Sequence, residues 1–494
     1  MKTHPQKLYS RRHFLKTAAA SAAAVYAGCC STQQICRRQS AGKPNIIYIL
    51  ADDLGYGDLS CYGQKRFSTP HIDRLADEGL LFTRHYAGST VCAPSRCSLM
   101  TGLHTGHCQI RGNLSVEPEG QWPLAAGTKT AASVLKEAGY STGAFGKWGL
   151  GGPDSSGDPN RQGFDEFFGF KCQTMAHKYY QRYLWRNNEK VYLPGNDPEK
   201  QTGQYCHDLI VDQAIEFIKT HHKRPFFAYL ALTIPHAELA VPADSLEKYK
   251  GLFPEDNPFI PNPNQDYGRQ LHPRAAYAAM IDRMDRDVGR ILTLLKELHI
   301  DDNTIVFFSS DNGPHKEGGG DPDFFDSNGP LRGYKRDLYE GGIRVPLLVR
   351  WPSVIKAGTR TDHISAFWDT LPTFAQLAGT QSFPDSDGIS FLPVLLGNPD
   401  AQLRHPYLYW EFHERGGKQA VLIGNQKAVR LNAMNNPDAP LELYDLAEDP
   451  SEENNIAAAH PQLIEKMTFL IHQAHKPNKT FPFFASERNS SLQR

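Results

Sequence analysis

The sequence predicts a doubly wound α/β fold, with a mostly parallel central sheet flanked by helices and a smaller C-terminal antiparallel sheet plus helix. Three observations carry this prediction. Continuous apolar runs end abruptly at polar residues, a pattern typical of strands buried on both faces. Segments with apolar residues at helical spacing separate these runs, and such alternation favours a parallel sheet. Beyond about residue 379 the pattern changes to short strand-like pieces.

Four apolar runs are predicted as strands of the central sheet, covering residues 45–51, 226–232, 304–310 and 345–351. The fourth contains Pro346, which lacks the N–H that a sheet ladder needs, so this strand is predicted to lie near an edge. Apolar spacing predicts helices over residues 71–82, 130–138 and 277–298. Thr69-Pro70 supplies the first helix with a cap and a first-turn proline.

The C-terminal part is predicted to be a small α+β unit. Its strands are expected over residues 407–412, 419–423 and 441–446, and its helix over residues 462–475. The chain is therefore divided into a signal and linker (1–41), a catalytic α/β domain (42–379), a C-terminal subdomain (380–475) and a loose polar tail (476–494).

The N-terminus carries an export signal. A twin-arginine motif is formed by residues 10–16 (SRRHFLK), and the alanine-rich stretch after it is shorter than the ~20 apolar residues of a spanning helix. Cys29 ends a lipobox-like segment, which predicts a lipid tether there. The predicted location is periplasmic, or tethered at the outer membrane or cell surface.

Composition argues against nucleic acid as a partner, because the formal net charge is −1 and no basic run stands out. None of the cysteines shows the C-x-x-C spacing of a metal site. An oxidising compartment would allow one disulfide, which the sequence does not pair.

Oxygen-bearing side chains follow two of the predicted strands. Asp52-Asp53 follows the first and Asp311-Asn312 follows the third, while His236 comes just after the second. Ligands of doubly wound sheets lie beyond the carboxyl ends of the strands, so one site can collect these residues. Oxygen ligands suit a hard divalent cation, although each pair alone would also suit a solvated turn.

Cys92 opens the string Cys-Ala-Pro-Ser-Arg, the most informative one in the chain. At average residue usage, Cys-x-Pro-Ser-Arg arises by chance in about one chain in a thousand of this length. Alone it would also suit a proline turn and a serine N-cap before a helix. Together with the following residues 98–102 (SLMTG), it resembles the type I sulfatase signature, C-x-P-S-R-x-x-L/M-x-T-G.

The resemblance implies an alkaline-phosphatase-like fold and the hydrolysis of sulfate esters. A formylglycine-generating enzyme would convert Cys92 to Cα-formylglycine, and the hydrate of that aldehyde would be the nucleophile. Ca²⁺ would be held by Asp52, Asp53, Asp311 and Asn312, with residue 92 completing the shell.

Three further segments resemble the same family. Lys147 lies in Gly-Lys-Trp-Gly-Leu-Gly, Lys335 in a match to G-x-K-x-x-x-F/Y-E-G-G-x-R-x-P, and His236 in Pro-His after a strand. The resemblance implies that both lysines bind sulfate oxygens and that His236 binds sulfate or protonates the leaving oxygen. Arg96 would orient formylglycine and neutralise a nearby carboxylate.

The implied reaction has two steps. Ca²⁺ lowers the pKa of one hydroxyl of the hydrate, and its oxygen attacks sulfur in line while Lys147 and Lys335 stabilise the charge. The sugar or aryl oxygen leaves. The second hydroxyl then loses its proton, sulfate departs and the aldehyde is restored.

One position departs from the family pattern. The family usually has histidine where this chain has Gly149, and that histidine is thought to be the base for sulfate release. His315 is the first candidate to replace it, because it lies three residues past Asn312. His177 is the second candidate.

Two other classes of protein stay open. A phosphate-ester or phosphonate hydrolase on the same scaffold would favour a Ser or Thr nucleophile and a richer His/Asp set for two zinc ions. An inactive glycan-binding relative is supported by Gly149. The predicted substrate is a sulfated carbohydrate, with a preference for 4- or 6-sulfated galactose-type units by family analogy. Residues 173–186 and 324–329 suit sugar recognition.

Overall fold

The computed structural model describes residues 42–262 and 266–489. The predictions for the export signal and for Cys29 lie outside the described residues. The strands are β1 Asn45–Ala51, β2 Leu80–Tyr86, β3 Ser141–Lys147, β4 Glu166–Phe170, β5 Tyr183–Arg186, β6 Glu189–Tyr192, β7 Phe226–Ala231, β8 Thr304–Ser310, β9 Arg344–Arg350, β10 Thr359–Thr361, β11 Ser365–Ala366, β12 Leu408–Phe412, β13 Lys418–Ile423, β14 Gln426–Leu431 and β15 Leu441–Asp445.

The described helices are α1 Pro70–Asp77, α2 Cys92–Thr101, α3 Ala131–Glu137, α4 Cys206–His221, α5 Ala243–Leu246, α6 Pro273–Glu297, α7 Pro322–Phe325, α8 Glu340–Ile343, α9 Thr370–Leu377, α10 Leu392–Leu395, α11 Pro461–Ala474 and α12 Ala485–Asn489. Of the described helices, none is both long and apolar enough to span a bilayer.

The central sheet confirms the predicted fold class. It has 11 strands in the order β10-β2-β9-β8-β1-β7-β3-β4-β5-β6, with β11 beside β2. Strands β8, β1, β7, β3 and β4 run parallel, so their carboxyl ends lie along one edge.

Strand β1 is buried on both faces, as its sequence predicts. Ile47 and Ile49 belong to one apolar cluster, together with residues of α1, α4 and α6. Ile46 and Tyr48 belong to a second cluster, together with residues of α2, α3 and α9. Helices therefore cover both faces of the sheet, which is the doubly wound arrangement.

The predicted helix over residues 71–82 is too long. Helix α1 ends at Asp77, and Leu80 already begins strand β2. The turn between them passes close to β9, because a Cβ at Gly79 would lie 2.3 Å from the carbonyl oxygen of Val349. Only glycine fits that approach, so the chain leaves the helix there although the apolar pattern continues.

The strand containing Pro346 is the third from one end of the sheet, near the edge but not at it. Strand β9 lies inside the sheet, between β2 and β8. The register of β2 against β9 shifts between Phe82 and His85, a bulge opposite the proline. The missing N–H therefore leaves no ladder position unpaired.

The C-terminal strands form a four-stranded antiparallel meander, β12-β13-β14-β15. Sequence analysis missed β14. Helix α11 covers one face through Met467 and Ile471. The other face shares a cluster with the central part of the chain, in which Trp410 packs beside Trp368. The domain boundary at residues 379 and 380 stays a prediction.

The described part of the tail is packed rather than loose. Phe483 is fully buried and Phe481 nearly so. Two phenylalanines close together give this polar segment enough apolar surface to dock. Each described cysteine is a free thiol, so the described residues contain no disulfide.

Candidate active site

The carboxyl ends of four neighbouring strands deliver polar side chains to one place. β1 leads to Asp52 and Asp53, β3 ends at Lys147, β7 leads to His236, and β8 leads to Asp311 and Asn312. All six side chains are buried. The prediction that one sheet edge collects these residues agrees with this placement.

Residue 92 enters the site at the start of helix α2. Cys92 is the first residue of that helix and is buried. Its Sγ lies 3.6 Å from Asp52 Oδ1. Burial raises the pKa of the Cys92 thiol to about 12, against the opposing charge of Lys147. An unmodified cysteine here is a neutral thiol, which is a weak nucleophile.

Arg96, one turn further along α2, ties three strands together. Its Nε and Nη2 donate to Asp311 Oδ2 at 3.1 and 2.8 Å, and its Nη1 donates to the carbonyl of Lys147 at 2.7 Å. Nη2 also lies 3.3 Å from Asp52 Oδ2. The guanidinium is thus used to position the carboxylates of Asp311 and Asp52 and the backbone at Lys147.

Each of the two lysines pairs with one aspartate. Lys147 Nζ donates to Asp52 Oδ2 at 2.7 Å, and Lys335 Nζ donates to Asp53 Oδ2 at 2.8 Å. Burial alone would raise the pKa of Asp52, but the charges of Lys147 and Arg96 outweigh it and hold the pKa below its usual value. Burial acts on Asp53 in the same way, and Lys335 lowers its pKa to about 2.

His236 lies beside Lys335. Lys335 Nζ is 3.1 Å from His236 Nε2, and the Nδ1 of that ring contacts the carbonyl of Ala237. These contacts assign the neutral tautomer with the proton on Nδ1. Burial, then Lys335 and His177, hold the pKa of His236 far below its usual value. In this state Nε2 accepts a hydrogen bond and has no proton to donate.

The carboxylates and amide fit a hard divalent cation. Burial and the charge of Asp52 raise the pKa of Asp311 to about 7, so this cluster gains from additional positive charge. Asn312 Oδ1 is buried without a hydrogen-bond partner among the described residues, while its Nδ2 donates to Asp53 Oδ1 at 2.6 Å. An orphaned oxygen beside carboxylates is the donor chemistry that such an ion requires.

The geometric cluster of ligand atoms differs in part from the predicted set. Asp52, Asp53, Cys92 and His236 have ligand atoms within 4.8 Å of one another. Asp311 is joined to this group through the N–H of Asp53, which donates to its Oδ1 at 3.1 Å. All predicted oxygen ligands are therefore in one contact network, with His236 at its border.

Three histidine rings line one side of the site. His177 stacks on His236 with ring centroids 4.4 Å apart, and His315 lies 5.8 Å from His236. His315 Nε2 contacts the carbonyl of Pro235 at 3.2 Å, and its Nδ1 accepts the N–H of Glu317 at 3.1 Å. Both nitrogens of His315 are therefore in use, which argues against its predicted role as the base.

Sequence reasoning missed Glu317 and Arg336 at the site. Glu317 Oε2 lies 3.2 Å from Lys335 Nζ, and its other oxygen pairs with Arg336. Arg336 also pairs, at 3.3 Å, with Glu414, which lies in the loop after β12. The φ of Arg336 is +78°, a strained value for a residue with a side chain. Only the proximity of Glu317 to His315 in sequence offered a signal.

A buried set of carboxylates and paired cations, with a cysteine at the start of a helix, lies at strand ends of a doubly wound sheet and suits the binding of an anionic ester. A family model described as Sulfatase matches residues 44–380. A second, described as N-sulphoglucosamine sulphohydrolase, C-terminal, matches residues 332–476. The chain belongs to the sulfatase family and is a sulfuric ester hydrolase.

Individual relatives agree with this family. An N-acetylgalactosamine-6-O-sulfatase of Bacteroides thetaiotaomicron is 30% identical over 529 residues, covering 91% of this chain and 96% of the relative. A steryl-sulfatase of Rattus norvegicus is 32% identical over 438 residues, covering 76% and 74%. A crystal structure of Ps i-CgsB in complex with k-i-k-neocarrahexaose is similar with a TM-score of 0.74 at 29% identity, covering 92% of this chain and 98% of that one.

A twin-arginine translocation signal model matches residues 9–25. These residues lie outside the described part of the chain. The signal indicates twin-arginine export out of the cytoplasm.

Proposed function

We propose that this enzyme removes sulfate from sulfated carbohydrates, with 6-sulfated galactose-type units, N-acetylgalactosamine included, as its preferred substrates. The observation that carries the proposal is the position of Cys92 at the start of α2, where its Sγ lies within 4.8 Å of Asp52 and Asp53, the partners of the two lysines. The sugar and the 6-position are supported by the name of the bacterial relative. The 4-sulfated units, which the sequence predicts on the same footing, are measured beside the 6-sulfated ones.

Two groups complete the proposed site. Formylglycine made from Cys92 would supply the nucleophilic oxygen, and Ca²⁺ held by Asp52, Asp53, Asp311 and Asn312 would lower the pKa of that oxygen's proton. Calcium is preferred to zinc because the predicted ligands offer oxygen rather than sulfur or several imidazoles.

The chain's own residues would bind and orient the substrate. Lys147 and Lys335 are buried ammonium groups, and the pKa of each is raised, chiefly because aspartates outweigh the effect of burial. Both therefore stay charged and suit sulfate oxygens. His236, as a neutral acceptor beside Lys335, would order that lysine, and would become a proton donor only after taking a proton from it.

The substrate proposal is tested with protein purified together with a formylglycine-generating enzyme. Release of sulfate is measured for 6-sulfated and 4-sulfated N-acetylgalactosamine, 6-sulfated galactose and a sterol sulfate, and release of phosphate is measured for a phosphate ester. The highest kcat/KM is expected for a 6-sulfated galactose-type sugar. A preference for the sterol would overturn the carbohydrate proposal, and a preference for the phosphate ester would support the phosphatase class.

A pair of cysteine variants controls for folding. Cys92→Ala should lose turnover and keep the thermal midpoint measured without added metal, since the loss is chemical. Cys61→Ser alters a half-buried thiol outside the site and should keep activity. Activity in Cys92→Ala would contradict the proposed nucleophile.

We also propose a periplasmic or surface location after export, with a lipid tether at Cys29. Fractionation of the native host, with detergent partitioning of wild type and Cys29→Ser, tests it. A wild-type protein that partitions into the aqueous phase, as the variant should, would rule out the tether.

A further inference from the structure

Position 149 lacks the family's histidine, and the space beside it is filled by another side chain. Gly149 has a φ of +76°, and a Cβ built there would lie 3.2 Å from Gln173 Oε1. Gln173 is buried, and its Oε1 has no hydrogen-bond partner among the described residues. Gln173 therefore occupies the place into which a histidine at 149 would project, and it presents an unpaired polar atom there.

His177 lies four residues further along the same segment, and one of its imidazole nitrogens is unpaired among the described residues. Its Nε2 is buried and has no hydrogen-bond partner in the described part of the chain. Its ring lies parallel to that of His236, at an interplanar angle of 16°. Burial, then Lys147 and Lys335, lower the pKa of His177 to about 3, so the resting ring is neutral.

The two neighbouring histidines have no ring nitrogen left without a hydrogen-bond partner. His236 Nε2 accepts from Lys335, and both nitrogens of His315 are held by backbone groups. Buried polar atoms without partners are rare in folded proteins, and each calls for a reason. Two of them on the segment 173–177, next to Gly149, point to a ligand or reacting group that pairs with them.

We propose that His177 is the proton acceptor that the family places at position 149, and that Gln173 is a positioning residue that fills the vacated space. The inference rests on the proposed function. When sulfate leaves residue 92, the electron pair of the breaking C–O bond departs with sulfate. The remaining hydroxyl gives its proton to His177 Nε2, and the O–H electrons form the carbonyl bond of the aldehyde. His177 then returns the proton to water.

The first test compares His177→Gln with His315→Gln and with His221→Gln, a buried-histidine control on α4. His177→Gln should slow turnover by about 10²–10⁴-fold and show a burst of leaving group. Mass spectrometry of the peptide containing residue 92 should find an added sulfuryl group only in His177→Gln. Accumulation in His315→Gln instead, or normal turnover in His177→Gln, would overturn the proposal.

The second test needs no turnover. In Cys92→Ser, which has a hydroxyl but no aldehyde, ¹⁵N NMR of labelled histidines should show a hydrogen bond accepted by His177 Nε2 that is absent in Cys92→Ala. Identical His177 signals in the two variants would count against the proposal. If the wild type releases no sulfate from any ester, the proposed function fails, while this comparison still reports on His177.

The third test moves the base. In the His177→Gln background, Gly149→His together with Gln173→Ala should recover part of the lost turnover, because the family histidine would then have room. Gly149→His without Gln173→Ala should not. Equal recovery with and without Gln173→Ala would show that Gln173 does not occupy the histidine's place.

Discussion

At the scale of single residues, a substitution of Gly149 can be used to compare the cost of backbone strain with the cost of a side-chain contact. We expect Gly149→Ala to lower the free energy of unfolding by more than the ~1 kcal/mol that a left-handed φ costs a non-glycine residue. Gly127 has the same φ of +76° with nothing within 4 Å of its Cβ position, so Gly127→Ala measures the backbone cost alone. Chemical unfolding of both variants gives the difference. An equal loss in both variants would mean that the Gln173 side chain moves away from the new Cβ at no measurable cost.

Asp58 predicts how stability changes with pH. Burial raises its pKa to about 7, with the hydrogen bonds from Tyr277 and Gly55 opposing. The unfolded value is about 3.9, so the folded state binds the proton more tightly. The stability from this group is complete below pH ~4 and is lost as pH rises through 7, by up to ~1.4 kcal/mol per pH unit.

Asp58→Asn should therefore flatten the fall in unfolding free energy between pH 5 and 7. Asp77→Asn removes an exposed carboxylate on α1 and serves as the control. An unchanged slope in Asp58→Asn would mean that another group titrates in this range.

The site residues divide by whether a local motif marks them. Cys92, Lys147 and Lys335 stand in segments whose order along the chain carries the information. No local motif marks Gln173. Its importance comes from filling the space that is left because residue 149 has no side chain. His315 looked suitable by distance in sequence, yet its two backbone hydrogen bonds are visible only in three dimensions.

At the scale of elements, helix α2 is anchored by one of its two serines. Ser95 Oγ donates to the carbonyl of Asp311 at 2.5 Å and accepts the N–H of Gly88 at 3.1 Å. Ser98 Oγ is buried with no partner in the described residues. Ser95→Ala orphans two buried backbone groups and should cost about 2–4 kcal/mol.

Ser98→Ala is the matched control and should be neutral or slightly stabilising, because it removes an unpaired hydroxyl. Thermal and chemical unfolding of the two variants provide the measurement. Similar losses in both would show that the hydrogen bonds to Asp311 and Gly88 add little beyond packing.

Strand and helix ends show which elements a sequence can define. Strands β1 and β8 were predicted at their observed bounds, because full burial gives an unbroken apolar run that stops at charged or polar residues. Helix α1 was predicted too long because residues 80–82 continue the apolar pattern, and the reason to stop is the backbone of β9. Such contacts between distant segments leave no local periodicity.

At the scale of the whole molecule, Lys427 joins the small sheet to the second signature segment. This buried lysine on β14 lies 2.9 Å from Glu340, the first residue of α8, and 2.9 Å from Glu452. Lys427→Met would leave Glu452 without its cation and Glu340 with Arg344 alone, and should cost about 3–5 kcal/mol.

Lys466→Met, at an exposed position of α11, is the control and should stay within the experimental error of wild type. Chemical unfolding measures both. Because Glu340 belongs to the segment that carries Lys335, the Lys427 variant should also lose sulfatase activity. Full activity with lowered stability would show that the small sheet supports the fold without positioning that segment.

The proposed ion should connect parts of the molecule that are far apart in sequence. Its ligands come from the ends of β1 and β8 and from the start of α2, so binding should raise the thermal midpoint of the whole protein. At a concentration 100-fold above Kd the gain is about 2.7 kcal/mol. We expect calcium to give the larger shift, magnesium a smaller one, and chelation to reverse both.

Asn312→Ala should abolish the shift, whereas Asn435→Ala, on an exposed loop, should keep it. A larger shift with zinc that is retained in Asn312→Ala would contradict the oxygen-ligand calcium site. It would instead support the nitrogen-rich zinc site of a phosphatase.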